Sequence, residues 1–132
     1  MEYPEEYYEF IRQFNQGNYY ECHDLLEEIW LGDRHNHFLK GMLQLAVALH
    51  HLSYGNVAGA RLLLDSSQAY LTPYEPIYWG IQVHDVLQYI KQVARCLPVE
   101  DRVDASQIRR LQIPTLTLQL TGDTQNGEEE LA

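Results

Sequence analysis

The sequence predicts an all-α protein, a compact antiparallel bundle of about five helices with an irregular or strand-like C-terminal extension. Three observations predict this class. Apolar residues recur every three or four positions in five separate stretches, which is the period of a helix that buries one face. Asparagine, glycine and proline, which favour helix ends, separate these stretches. The 132 residues, 45% of them hydrophobic, suit one domain around one core.

The first two helices are predicted from their ends. Helix one runs from about Pro4 to Gln13, because proline suits a first helical turn and aromatic residues follow at helical spacing. Gly17 is expected to end it with a positive φ. Helix two begins after Asn18, a good N-cap residue, and Glu21 is placed to complete a capping box.

The third predicted helix, from about His37 to Tyr54, is apolar almost all round and should be the most buried. The dipeptide that follows, Gly55-Asn56, repeats Gly17-Asn18. The eleven residues from Gly17 align without a gap with those from Gly55, at an offset of 38 residues. This offset is close to the period of helical-hairpin repeats, but two units are too few for a solenoid. A bundle with a weak internal repeat and a chance similarity are both open interpretations.

Two more helices complete the predicted bundle, which covers residues 1–100. They span about 57–70 and, from residue 81 or 83, up to 96, and an aromatic loop with two prolines joins them. Residues 101–122 form the extension, which includes one short predicted strand at Leu116–Leu120, where apolar and polar residues alternate. Residues 123–132 are predicted to be a disordered acidic tail.

Composition argues against several classes of partner. The formal net charge is −10, and no cluster of basic residues exceeds Arg109-Arg110, so binding to nucleic acid or to anionic membranes is not expected. No apolar run reaches the roughly 20 residues that span a bilayer, and the N-terminus is acidic where a signal peptide would be basic. Cys22 and Cys96 match no zinc-binding spacing. A cytoplasmic protein with two free thiols is the expectation.

The chemically suggestive residues lie on helices two and three. His23 and Glu27 stand four positions apart, which brings two side chains together on one helical turn. The helical wheel places both on the inward side, and it places His50 on the main apolar stripe of helix three. Gln44 and His51 share a second face of that helix with Lys40.

Three interpretations of this polar cluster stay open. It could be a buried structural network, in which Glu27 or helix three satisfies the histidine nitrogens. It could be a metal or acid/base site, for which His50 or His51 would have to supply a third group. The residues could also simply be partly exposed.

These residues also carry a family resemblance. The runs FNQGNYYECHDLLEEIW at 14–30 and FLKGMLQLAVALHHLSYGN at 38–56, followed by Ala60-Arg61, resemble the small bacterial and archaeal domain-of-unknown-function family 309. The resemblance covers about residues 8–72 and rests on the spacing His-x-x-x-Glu-x-x-Trp. It implies an all-α fold of antiparallel helices and no settled biochemical role. It also implies a set of polar positions, which are Glu21, His23, Glu27, Gln44 and His51.

The sequence therefore leads to three functional hypotheses. The first is a non-catalytic cytoplasmic domain that forms a homo-oligomer and whose buried His/Glu/Gln cluster is structural or binds a small molecule. The second is a metal-dependent or acid/base hydrolase that uses His23, Glu27 and His51 as ligands or proton carriers. The third is an interaction module similar to a short tetratricopeptide array. No cofactor is required by the sequence.

Overall fold

Six α-helices make up most of the chain in a computed structural model that describes residues 2–121. They are α1 (Glu5–Asn15), α2 (Tyr19–Leu31), α3 (His37–Ser53), α4 (Val57–Leu71), α5 (Val83–Cys96) and α6 (Ala105–Leu111). The predicted all-α class is confirmed. The predicted acidic tail, residues 123–132, lies outside the described residues. None of the helices within 2–121 has the length and apolar character needed to cross a membrane.

Helix α3 is the centre of the fold, as its apolar sequence predicts. It packs against α2 on one side and α4 on the other, and α1 packs on α2. Ten of its seventeen residues are buried. Gly41 allows the close approach of α4, because a Cβ there would lie 2.7 Å from Leu71 Cγ. At the same level the buried Ser67 hydroxyl donates to the Gly41 carbonyl at 2.8 Å.

A small β-hairpin interrupts the connection from α4 to α5, which the sequence predicts as a loop. A 3-10 turn (Thr72–Tyr74) leads into strands β1 (Ile77–Tyr78) and β2 (Ile81–Gln82), which pair antiparallel. Trp79 and Gly80 form the turn with positive φ values of 49° and 73°, the geometry that closes two-residue hairpins. The Tyr7 hydroxyl donates to the Trp79 carbonyl at 2.8 Å, so the hairpin is fixed to α1.

The predicted strand at 116–120 does not form. Residues 113–121 form no regular secondary structure and pair with no strand among residues 2–121. Instead, the Asn15 side chain donates to the Leu118 carbonyl at 2.9 Å and accepts from the Leu118 amide at 2.7 Å. One amide side chain thus satisfies the backbone groups that a partner strand would satisfy, and Leu118 is buried. The alternating pattern indicated an extended, half-buried segment but not what it packs against.

The predicted capping box at the start of α2 is also wrong. Asn18 makes no side-chain cap to the helix, and its Nδ2 donates instead to Gln13 Oε1 at 2.8 Å. Glu21 is exposed. Gln13 takes the place of the helix amide as the partner of the Asn18 side chain. It lies within reach of Asn18 because α1 continues to Asn15, beyond its predicted end.

Candidate functional site

Three side chains of α2 bring potential metal ligands together. His23 Nδ1 lies 3.2 Å from Asp24 Oδ1 and 3.9 Å from Glu27 Oε1. One ligand atom from each residue lies within 4.8 Å of the other two. His23 and Glu27 lie close together because they stand four positions apart on the helix. Asp24 joins because its short side chain turns toward the neighbouring imidazole.

The trio is not buried, which corrects the predicted inward orientation. The His23 side chain is 41% exposed and that of Glu27 46% exposed. The buried residues of α2 are Cys22 and Leu26 alone. The reason is that α2 packs between α1 and α3 with a narrow contact, so side chains one position from the buried stripe already reach solvent. Burial raises the pKa of the Cys22 thiol to about 12, so this cysteine is a neutral part of the core.

A cleft of about 180 Å³ separates the N-terminal half of α2 from the C-terminal half of α3. Its lining includes His23 and Asp24 from one wall and His50 from the other, together with Tyr19, Tyr20 and Val47. The His50 ring lies 5.2 Å from the Tyr20 ring and 4.9 Å from the Tyr54 ring. Partial burial, with the neighbouring His51, lowers the pKa of His50, and the charge of Glu21 opposes this shift.

His51 has a different set of contacts from His50. The Asn56 Oδ1 atom accepts from the Gly59 amide at 3.0 Å and caps the first turn of α4. The Asn56 Nδ2 atom therefore donates to His51 Nδ1, 3.1 Å away. His51 is in this way connected to the start of α4, and His50 is the histidine of this pair that shares a cleft with His23.

Gln44 lies between the two ends of the α2–α3 interface. Near one end Tyr20 contacts His50, and near the other the Lys40 ammonium lies 4.7 Å from the centre of the Trp30 ring. Gln44 Oε1 and Trp30 Nε1 are buried, and no group in residues 2–121 forms a hydrogen bond with either. The predicted four-residue network of His23, Glu27, Gln44 and His51 is thus not linked by hydrogen bonds in the described part of the chain.

Sequence reasoning missed Asp24 and undervalued His50. Helical periodicity gives the direction of a Cα–Cβ bond, but a short carboxylate beside a histidine can turn toward it through its own χ angles. No pattern in the sequence signals that rotation. The wheel placed His50 on the main apolar stripe of α3, whereas the structure leaves it only partly buried, in the wall of the cleft.

Comparison with known proteins finds similarity over the segment that holds this site. The model of the family described as "Domain of unknown function (DUF309)" matches residues 7–63. The chain is also 39% identical over 69 residues to "Uncharacterized protein YpuF" of Bacillus subtilis (strain 168), a match of 49% of this chain and 40% of that protein. The chain thus spans less than half of that relative's length. This match confirms the resemblance predicted from the sequence. The matched segment contains every residue of the candidate site.

Proposed function

We propose that this domain binds a divalent first-row metal ion on α2 through His23, Asp24 and Glu27. The observation that carries the proposal is the convergence of one imidazole nitrogen and two carboxylates within 4.8 Å. Imidazole favours zinc and its neighbours in the first row, and two carboxylates supply the negative charge that a divalent ion needs.

The separations of the ligand atoms suit such an ion. Tetrahedral ligands at about 2.0–2.2 Å from zinc lie roughly 3.4 Å from one another. The distances from His23 Nδ1, 3.2 Å to Asp24 and 3.9 Å to Glu27, bracket this value. Because the side chains are partly exposed, small rotations suffice to complete the geometry. Three protein ligands leave a fourth position, as in zinc sites that bind water or a substrate.

The neighbouring cleft indicates where a further ligand would lie. His23 and Asp24 belong both to the metal trio and to the cleft wall. A hydrolytic version of the site would use His50, across the cleft, to accept a proton, since the lowered pKa of His50 favours its neutral form. His51, the proton carrier of the sequence hypothesis, is engaged with Asn56. A cytoplasmic location remains part of this proposal, supported by the free thiols of Cys22 and Cys96.

A second candidate, a small polar molecule held between α2 and α3, has its own observation. Buried polar atoms nearly always have a hydrogen-bond partner, yet Trp30 Nε1 and Gln44 Oε1 find none among residues 2–121. A polar ligand that reached either atom would accept from the indole N–H or donate to the amide oxygen. Native mass spectrometry of the purified protein would show it as an adduct that Gln44→Leu removes.

Calorimetric titration with ZnCl₂ tests the metal proposal. The protein, stripped with a chelator and freed of any affinity tag, is expected to bind one Zn²⁺, and His23→Ala should weaken binding by at least about tenfold. His84→Ala is the matched control. His84 Nδ1 also lies close to a carboxylate, 3.1 Å from Glu75 Oε2, but has no third ligand among residues 2–121. This variant should bind Zn²⁺ as the unmodified protein does.

Two results would overturn the metal proposal. One is the absence of Zn²⁺ binding by the folded protein at concentrations up to about 100 µM. The other is equal binding by the His23→Ala and His84→Ala variants, which would show that the ion binds nonspecifically to surface histidines. Circular dichroism of each variant confirms that the helices remain folded.

A further inference from the structure

An apolar groove lies between α4 and α5, and none of the three metal-site residues lines it. Its volume is about 520 Å³, and the apolar residues of its lining include Ala58, Leu64, Ile90 and Ala94. On its rim stands Leu62, which is 70% exposed. An exposed leucine beside an apolar groove is more typical of a protein–protein contact than of a solvated helix face.

The charges on this face are arranged for a symmetric partner. Arg61 and Asp65 stand four positions apart on the exposed side of α4, and Leu62 lies between them. When two identical helices pack antiparallel about a two-fold axis near position 63, Arg61 of each faces Asp65 of the other. An isologous interface must be self-complementary in this way.

Both charged groups are available for such a contact. Asp65 forms no ion pair within residues 2–121. The Arg61 guanidinium donates to the Pro98 carbonyl at 2.8 Å, which fixes it at the rim of the groove. Its other nitrogen lies 3.6 Å from the carboxylate of Asp101. Since a guanidinium has five N–H donors, it can take a second carboxylate without losing the first contact.

We propose that the groove between α4 and α5 binds α4 of a second copy of this chain. The two helices pack antiparallel, Leu62 of each copy enters the groove of the other near Leu64, and two Arg61–Asp65 pairs flank the leucines. This interface leaves the metal trio and the α2–α3 cleft open. It also gives the interaction-module and homo-oligomer hypotheses one specific surface.

Sedimentation equilibrium over a range of concentrations tests this interface. The unmodified protein should have the mass of a dimer, and Leu62→Lys should have the mass of a monomer. Leu31→Lys is the matched control, because Leu31 is an exposed leucine at the end of α2, 51% exposed and away from the groove. That variant should remain dimeric.

Charge reversal tests the pairing itself. Arg61→Asp and Asp65→Arg should each be monomeric, since every two-fold pair then joins like charges. An equimolar mixture of the two variants should form a heterodimer, because the two carboxylates that the first variant carries at these positions then face the two guanidinium groups of the second. Both sets of measurements are made with a chelator present, so that they do not depend on the metal proposal.

Several outcomes would overturn the proposed dimer. These are a monomeric unmodified protein at about 100 µM, a dimer that survives Leu62→Lys, and a folded charge-reversed pair that does not associate on mixing. A dimer that Leu31→Lys disrupts would move the interface to α2.

Discussion

The beginnings of α2 and α4 are two versions of one structural unit with different outward surfaces. Residues 17–27 and 55–65 align without a gap, and Gly17 and Gly55 share a φ of 82°. The inward positions have the same burial, since Cys22 corresponds to Ala60 and Leu26 to Leu64, and all four are buried. Both helices pack on α3.

The outward positions of these units differ at two of three places and carry a carboxylate at the third. His23, Asp24 and Glu27 of α2 correspond to Arg61, Leu62 and Asp65 of α4. The first three form the proposed metal site, and the second three form the proposed contact with another copy. Packing against α3 restricts the inward residues of each unit, whereas outward residues are free to acquire separate roles.

The turns that begin the two units also differ in what surrounds them. Apart from its chain neighbours, a Cβ at Gly17 would meet no other atom within 4 Å. One at Gly55 would overlap the carbonyl oxygen of Val103, because the C-terminal extension crosses this turn. The Val103 amide donates to the Gly55 carbonyl at 3.0 Å, and the Ala58 amide donates to the Asp101 carbonyl at 2.9 Å. One turn is open, and the other attaches the extension to the bundle.

The largest expected difference between the two units is the effect of alanine at Gly17 and at Gly55 on the free energy of unfolding. Gly17→Ala should lower the free energy of unfolding by about 1 kcal/mol, which is the cost of a left-handed alanine. Gly55→Ala carries the same cost and must also displace Val103, with the loss of hydrogen bonds that hold residues 101–103. Its total should reach about 3 kcal/mol or more. Urea denaturation followed by circular dichroism measures both values.

Equal losses in the two alanine variants would contradict this account. They would mean that the extension leaves the bundle at little cost, and that Gly55 is required only for its backbone conformation. Hydrogen exchange at the Val103 amide supplies an independent measurement, because its protection should fall in Gly55→Ala and not in Gly17→Ala.

The two asparagines should show a smaller difference. Asn56 caps α4 and accepts from the Gly59 amide, while Asn18 makes no cap. Asn56→Ala should therefore lower the free energy of unfolding by about 1 to 2 kcal/mol. Asn18→Ala removes exposed bonds to Gln13 and Gln16 and should cost about 0.5 kcal/mol or less. A cost for Asn18→Ala as large as that for Asn56→Ala would show that Asn18 also stabilises its helix.

These units also show how much the sequence could predict. Helices α1 to α5, the central position of α3 and the repeated Gly-Asn turns follow from periodicity and from residues with strong local preferences, whereas α6 lies in the predicted extension. The role of Asn18 does not, because an asparagine amide chooses among nearby partners whose positions depend on where α1 ends. The four-residue spacing indicated His23 and Glu27 correctly as neighbours, but their exposure depends on how widely α2 contacts α3, which no local pattern encodes.

The C-terminal extension was harder to predict for the same reason. Its alternating residues indicate an extended segment, but its attachment depends on Asn15 and Gly55, which are distant in sequence. Asn15 lies more than 100 residues before Leu118, to which its side chain bonds at both backbone groups. Contacts of this kind leave no periodic signal in a single sequence.

The smallest expected effect is a difference between two adjacent histidines of α3. His50 faces α2, and His51 contacts Asn56 at the start of α4. Partial burial lowers the pKa of His50 in the folded protein below its usual value, so the unfolded chain takes up this proton first as the pH falls. His50 therefore destabilises the fold as the pH drops below about 6.5. Above that pH His50 is neutral in both the folded and the unfolded state, and its contribution is constant.

Melting temperatures measured from pH 5 to 8 should decline less steeply at the acid end for His50→Gln than for the unmodified protein. His51→Gln should lower the melting temperature through the loss of its contact with Asn56. A curve that His50→Gln leaves as steep as before would show that the tyrosines around His50 do not shield it from water.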